Sequence, residues 1–228
     1  AALNSSQVMA LQTSQLAVVD PADLNAMSSA LMGALTTAQV RALTTLQWDS
    51  LATTQMAALE SDQVFAIETA DLSVLDADQV TALSAVAWAS LTTDQVKVLE
   101  TSQLTGLTTA QLALMTAAQV KVLATDRIAA LSTLQVASLG STQLAALLTG
   151  QVQALETRDL ATLNSAQLRA FTTSQIGSLT TDQLRNLSTS QVQALTAAQM
   201  GALSGSQIQS LPEDHVNVLS SAQIVALS

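Results

Sequence analysis

The apolar residues of this chain fall on a period of eight. One anchor stands at residues 3, 11, 19 and every eighth position through 227, and it is Leu except at Val19, Met27, Ile67, Met115 and Phe171. A second apolar residue occupies 8, 16, 24 and onward through 224, always Val, Leu, Ile, Met or Trp, and the residue before each anchor is usually small. Gln precedes the second apolar residue in 21 octads; the exceptions are Asp23, Leu31, Asp71, Ala87, Arg127, Asp159 and His215. The phrase L-[ST]-[ST]-x-Q-[VLI]-x-[AS], seen three times in LTTAQVRALTTLQWDSLATTQMAA at 35–58, runs without an insertion through 28 octads, residues 3–226.

A continuous α-helix does not fit this period. Eight residues turn about 800°, so each octad would fall roughly 80° out of phase and the apolar stripe would wrap around the helix. A strand fails too, because anchor and second apolar residue are five apart and would point to opposite faces. The helix must restart in every octad, and the letters of the restart are present. Leu35, Thr36, Gln39 and Val40 stand at N′, N-cap, N3 and N4 of a helix beginning after Thr36. Thr36 with Gln39 makes a capping box and Leu35 with Val40 a hydrophobic staple.

Octads without Ser, Thr, Asp or Asn at the cap position, such as those with Ala52, Glu60, Glu68, Glu100, Ala124 and Glu156, have Ser or Thr next. Only Pro212 with Glu213 lacks both. This compensation predicts one cap per octad whose register slides by one residue. Helices of about five or six residues are far below the roughly 12 to 15 needed for marginal stability alone. Stacking must hold them, which is the energetics of a solenoid. The expected fold is therefore all-α, a solenoid or superhelix with one short helix per octad. Neither lost phase nor a Gly, Pro or charge cluster marks a boundary, so residues 1–228 read as a single repeat domain. Asp62, Asp78 and Asp94, sixteen apart, hint at two octads per coil.

Composition narrows the role. Seven Lys and Arg against seventeen Asp and Glu give a formal charge of −10, which disfavours nucleic acid and anionic membranes as partners, since both reward a basic face. Cysteine is absent, excluding a disulfide framework and thiolate metal ligands. Ser, Thr, Gln or Asp interrupts every octad, so no apolar run approaches the roughly 18 to 20 residues of a membrane-spanning helix. The opening AALNSSQV, with no initiator Met or charged-then-apolar leader, reads as a mature or excised piece whose address label lies elsewhere.

Candidate chemistry is sparse. His215, the only histidine, stands beside Asp214 in a Gln position and has no second ligand; it reads as a surface or capping variant rather than an acid–base pair or metal site. Asp62, Asp78, Asp94, Asp126, Asp182 and Asp214 share one position near a helix N-terminus, where negative charge is favourable, and no D-x-D-x-D-G calcium cluster occurs. Phosphate loops, nucleophile elbows and H-E-x-x-H helices are absent. Trp48 and Trp88 replace the second apolar residue and read as core plugs. The sequons at Asn4 and Asn186 are expected by chance in a Ser-rich chain. The Thr and Ser positions could be an ice-binding array, but their exchange with Asp, Asn and Glu preserves helix caps and spoils a hydroxyl lattice. No catalytic, cofactor-binding or metal residue is assigned, no cofactor is expected, and the chain is not expected to be an enzyme.

The stretches ALTTAQVRALTTLQ, SLTTDQVKVLETSQL and NLSTSQVQALTAAQM resemble the A-L-T-T-x-Q-V octapeptide tracts of very large repetitive bacterial surface proteins, adhesin-like or fibre-forming. The resemblance covers essentially the whole chain. It implies an extracellular or cell-surface location and a spacing or assembly role, and it supplies no catalytic residues. The expected function is thus a structural scaffold, either a stalk or a filament unit. Its partners are then the rest of a longer repeat chain, or other copies stacked end to end on anchors such as Leu227. The competing expectation is a module that binds a peptide, glycan or ion. Its best candidates, Arg158, Arg169 and Arg185, are spread along the chain.

Overall fold

A computed structural model describes residues 4–227; the anchor expected at Leu3 lies outside them. Each octad forms one α-helix of four to six residues, from α1 (Ser5–Met9) to α28 (Ser221–Ala226), with αn in the nth octad, and no strand occurs among the described residues. The solenoid expected from the period is what forms.

The residue sequence of one octad explains its conformation. In α5 (Thr37–Arg41) the N-cap Thr36 is extended at φ −71° and ψ 158°, and its hydroxyl accepts from the Gln39 N–H. Gln39 Oε1 accepts in return from the Thr36 N–H at 2.9 Å, completing the capping box. At the other end the anchor N–H of Leu43 donates to Val40 O, a 3₁₀-type closure. Where the helix runs up to the anchor, as at Leu51 (φ −66°, ψ 135°), the anchor itself is extended. Among the described residues the chain turns between helices with no positive φ and no cis peptide. Any L-residue adopts such backbone, which is why the 27 turns that join these helices need so few of the chain's seven Gly and two Pro.

The cap does not slide. The N-cap falls at every eighth residue, including Ala52, Glu60, Glu68, Glu100, Ala124, Glu156 and Pro212, none of which makes a side-chain cap bond. At Ala52, Glu60 and Glu100 the other half of the box remains, as where the Ala52 N–H donates to Gln55 Oε1; Glu68, Ala124, Glu156 and Pro212 keep the register without a glutamine.

The described chain forms two compact units, residues up to Met115 and residues from Thr116. Within the first, α3 (Pro21–Asn25) packs on α6 (Thr45–Ser50), α6 on α9 (Thr69–Leu72), and α9 on α12 (Thr93–Val98). Within the second, α15 (Ala117–Lys121), α18 (Ser141–Ala146), α21 (Ser165–Ala170) and α24 (Thr189–Ala194) repeat the pattern. Helices three octads apart are therefore neighbours, and the hint of two octads per coil is corrected. The aspartates that suggested it, Asp62, Asp78 and Asp94, are exposed first-turn residues and carry no information about coil closure. The core is the two apolar ladders: second residues such as Val40, Val96 and Val152 are fully buried, and anchors such as Leu51, Leu99 and Leu155 nearly so. Trp48 and Trp88 are buried plugs in the first of these ladders, as expected.

Candidate functional site

The one polar constellation that recurs through both units is built on the octad glutamine. Its amide is buried and spans two coils. Gln39 Oε1 serves its own N-cap, while Nε2 donates to Val8 O at 2.7 Å, in the octad four earlier, and to Leu11 O at 2.9 Å, the anchor that follows it. The same pair of carbonyls, 31 and 28 residues back, receives Gln47, Gln55, Gln63, Gln79, Gln95 and Gln103 in the first unit. In the second unit it receives Gln151, Gln175, Gln183, Gln191, Gln199 and Gln223. One carbonyl accepts at a helix C-terminus, where it also holds the following anchor N–H, and the other is that of the anchor itself. An amide is the side chain that both accepts on one side and donates on the other, so the position selects Gln for bonding rather than for chemistry.

A second contact fixes the coil from the opposite direction. The residue after the second apolar one lies against the carbonyl 25 residues on: Arg169 Nε donates to Ala194 O at 2.8 Å and Gln153 Nε2 to Ser178 O at 2.9 Å. At Gly177 the fit is closer still, since a Cβ would stand 2.8 Å from Ala202 O. Helix packing at three octads and glutamine bonds at four place between three and four octads in each coil.

Octads without glutamine show what the position demands. Ala87 leaves only the Ser84 cap of α11 (Ala85–Ala89). Asp159 is fully buried; its Oδ1 accepts from Thr133 Oγ1 at 3.0 Å and lies 3.9 Å from Arg158 Nε, while Oδ2 has no partner. Asp71 is 5% exposed, and no hydrogen bond or ion pair to its carboxylate is formed. Burial, and then the neighbouring Glu68 charge, push its carboxyl up to about 6. His215, in α27 (Glu213–Asn217), is 3% exposed with Nδ1 unpartnered, so the surface reading is corrected: its side chain points inward, as Asp71 and Asp159 do.

The remaining sequence candidates are local. The six aspartates are exposed first-turn residues, and no group of three His, Cys, Asp or Glu side chains able to hold a metal forms among the described residues. Arg158 pairs with Glu156 at 2.6 Å, and Arg185 sits in the last turn of α23 (Thr181–Arg185). Asn4 caps α1 and Asn186 donates to Asp182 O. An open cleft of about 500 Å³ is lined by Asn4, Asp23, Met27 and Leu31 among others; its one charged group converges with no other. No described helix is long and apolar enough to cross a membrane. Sequence reasoning recognised the capping half of the glutamine and missed the bridging half. The available signal was that Gln, a mediocre N3 partner beside Glu, is used without a single Glu in its place.

Residues 96–133, 152–185 and 182–213 match the family model described as ALTTAQ repeat, together less than half of the chain. No curated protein matches the chain. With the fold, these matches make the chain a repeat protein whose all-α solenoid is a structural scaffold.

Proposed function

We propose that this scaffold acts by adding coil to coil: it is a stalk or filament element at a bacterial cell surface, not an enzyme, and its partners are further octads of the same kind. The observation that carries the reading is the directional glutamine bond. Within each unit the octads that carry the glutamine donate to carbonyls 31 and 28 residues back, so a coil is a template for the next one. The bacterial surface placement rests on the resemblance of the octads to tracts of repetitive surface proteins.

Electron microscopy and sedimentation velocity of the purified chain over a wide concentration range test the assembly. Concentration-dependent fibres are the expected result, and a single unchanging species across the range would remove the assembly role.

A further inference from the structure

Three octads carry Asp where glutamine otherwise stands, and each of them also has an acidic N-cap: Asp20 with Asp23, Glu68 with Asp71, and Glu156 with Asp159. Like charges three residues apart on one helix are neighbours and repel, so the pairing calls for a cation. We propose that Glu68 and Asp71 together bind a divalent cation of the calcium class, in the place that a guanidinium takes in the matching octad of the second unit. The inference stands apart from the scaffold's use as stalk or filament.

The matching octad shows what such a pair accepts. α9 and α20 (Thr157–Leu160) share one backbone: their N-caps lie at φ −73°, ψ 151° and φ −71°, ψ 153°. The Asp71 N–H donates to Glu68 O at 3.1 Å and the Asp159 N–H to Glu156 O at 3.0 Å. In α20 the Arg158 guanidinium stands 2.6 Å from Glu156 Oε2 and 3.9 Å from Asp159 Oδ1, so both carboxylates lie within reach of one cation. In α9 the same frame carries Ala70 at the Arg158 position. Asp71 is 5% exposed with no hydrogen bond or ion pair to its carboxylate, and Glu68 makes no cap bond. A buried charge without a partner is costly, and burial with the Glu68 charge has raised the Asp71 carboxyl to about 6. The chain supplies no counter-ion here. Residues 1–115 hold eleven carboxylates and two basic side chains; Lys97 lies 3.5 Å from Asp94, and Arg41 forms no ion pair with either carboxylate. Two carboxylates offer oxygen donors and two negative charges, which suit a hard divalent ion that keeps water in its other positions. With no third acidic, His or Cys group beside them, the affinity falls at about 10⁻⁴ to 10⁻³ M, the range of extracellular calcium modules. Asp20 and Asp23 differ: Asp20 Oδ1 already accepts from the Ala22 N–H at 2.8 Å, and Asp23 is exposed.

The test is urea unfolding of the full chain, read by Trp48 and Trp88 emission, in CaCl2 at about 10 mM and in NaCl of equal ionic strength. The proteins are native, Ala70→Arg, Asp71→Asn and Asp78→Asn. Ala70 is exposed, so the arginine enters at the surface in the Arg158 position. A ligand of the folded state at about ten times its dissociation constant raises the folding equilibrium roughly tenfold. That gain over NaCl is expected for the native protein and for Asp78→Asn, whose exposed carboxylate lies outside the pair, and it is expected to vanish in Ala70→Arg and Asp71→Asn. No gain over NaCl in the native chain, or an equal gain in Ala70→Arg or Asp71→Asn, overturns the site. Carbon-detected NMR of the native chain in increasing CaCl2 decides without any variant. The Glu68 and Asp71 carboxyl signals should move together and the Asp71 midpoint should fall from about 6; a response spread equally over Asp78, Asp94 and Glu100 refutes the pair. A gain from methylguanidinium chloride with none from CaCl2 would give the pair to an arginine side chain and also overturn the metal.

Discussion

Replacing Gln79 with Met keeps the length and nearly the volume of the side chain while removing its polar atoms. Gln79 accepts from the Asp76 N–H at 2.8 Å and donates to Trp48 O at 3.0 Å and Leu51 O at 2.8 Å. Three bonds at about 0.5 to 1.5 kcal/mol net each, less a partial return from burying a more apolar side chain, put the cost at about 1 to 4 kcal/mol. The comparison is Asp76→Ala, which removes the bond from the Gln79 N–H to Asp76 Oδ1 and so about 1 kcal/mol. Urea unfolding followed in parallel by far-ultraviolet circular dichroism and tryptophan emission measures both. Trp48 sits on the carbonyl that Gln79 holds, and both tryptophans are at most 1% exposed, so emission reports directly on this coil. A Gln79→Met cost no larger than that of Asp76→Ala would show that the amide acts only within its own octad, and the between-coil reading would be wrong.

Other substitutions probe separate parts of the lattice. Gly177→Ala is expected to destabilise by about 1 to 3 kcal/mol, because its Cβ would meet Ala202 O at 2.8 Å. Gly150→Ala, whose Cβ finds only Thr125 Cγ2 at 3.8 Å inside α19 (Thr149–Ala154), should stabilise by about 0.5 to 1 kcal/mol; calorimetry of the two distinguishes contact from propensity. Ala52→Thr adds a cap hydroxyl at the fixed N-cap of α7 (Thr53–Met56) and should raise stability by about 0.5 to 1 kcal/mol. If the cap had instead moved to Thr53, the same change would leave the urea midpoint where it was. Leu99→Ala, at a fully buried anchor, is expected to cost about 2 to 5 kcal/mol in the same unfolding assay.

The elements were legible because their signals are local. Thr36, Gln39 and the Leu35–Val40 pair lie within six residues, and those residues fix where a helix starts. Coil closure was not legible, since it depends on the rotation accumulated through extended residues such as Leu51 and Thr44, whose ψ angles of 135° and 158° have no letter of their own. The aspartates at 62, 78 and 94 gave a false period because exposed residues answer to no neighbour. Asp71, Asp159 and His215 were visible as exceptions to Gln, yet their burial followed only once the glutamine was seen to point between coils.

The constant reach of the glutamine, 28 to 31 residues back, has a consequence for how such a chain is made. Loop closure and contact separation govern how slowly most folds assemble as they lengthen. Here the separation belongs to the octad and not to the array, so the hundredth repeat would close the same loop as the fifth. A newly emerged octad finds its acceptors already in place in a coil completed four octads earlier, and structure can advance along the polypeptide at the pace of its synthesis or export, with array length no obstacle to folding.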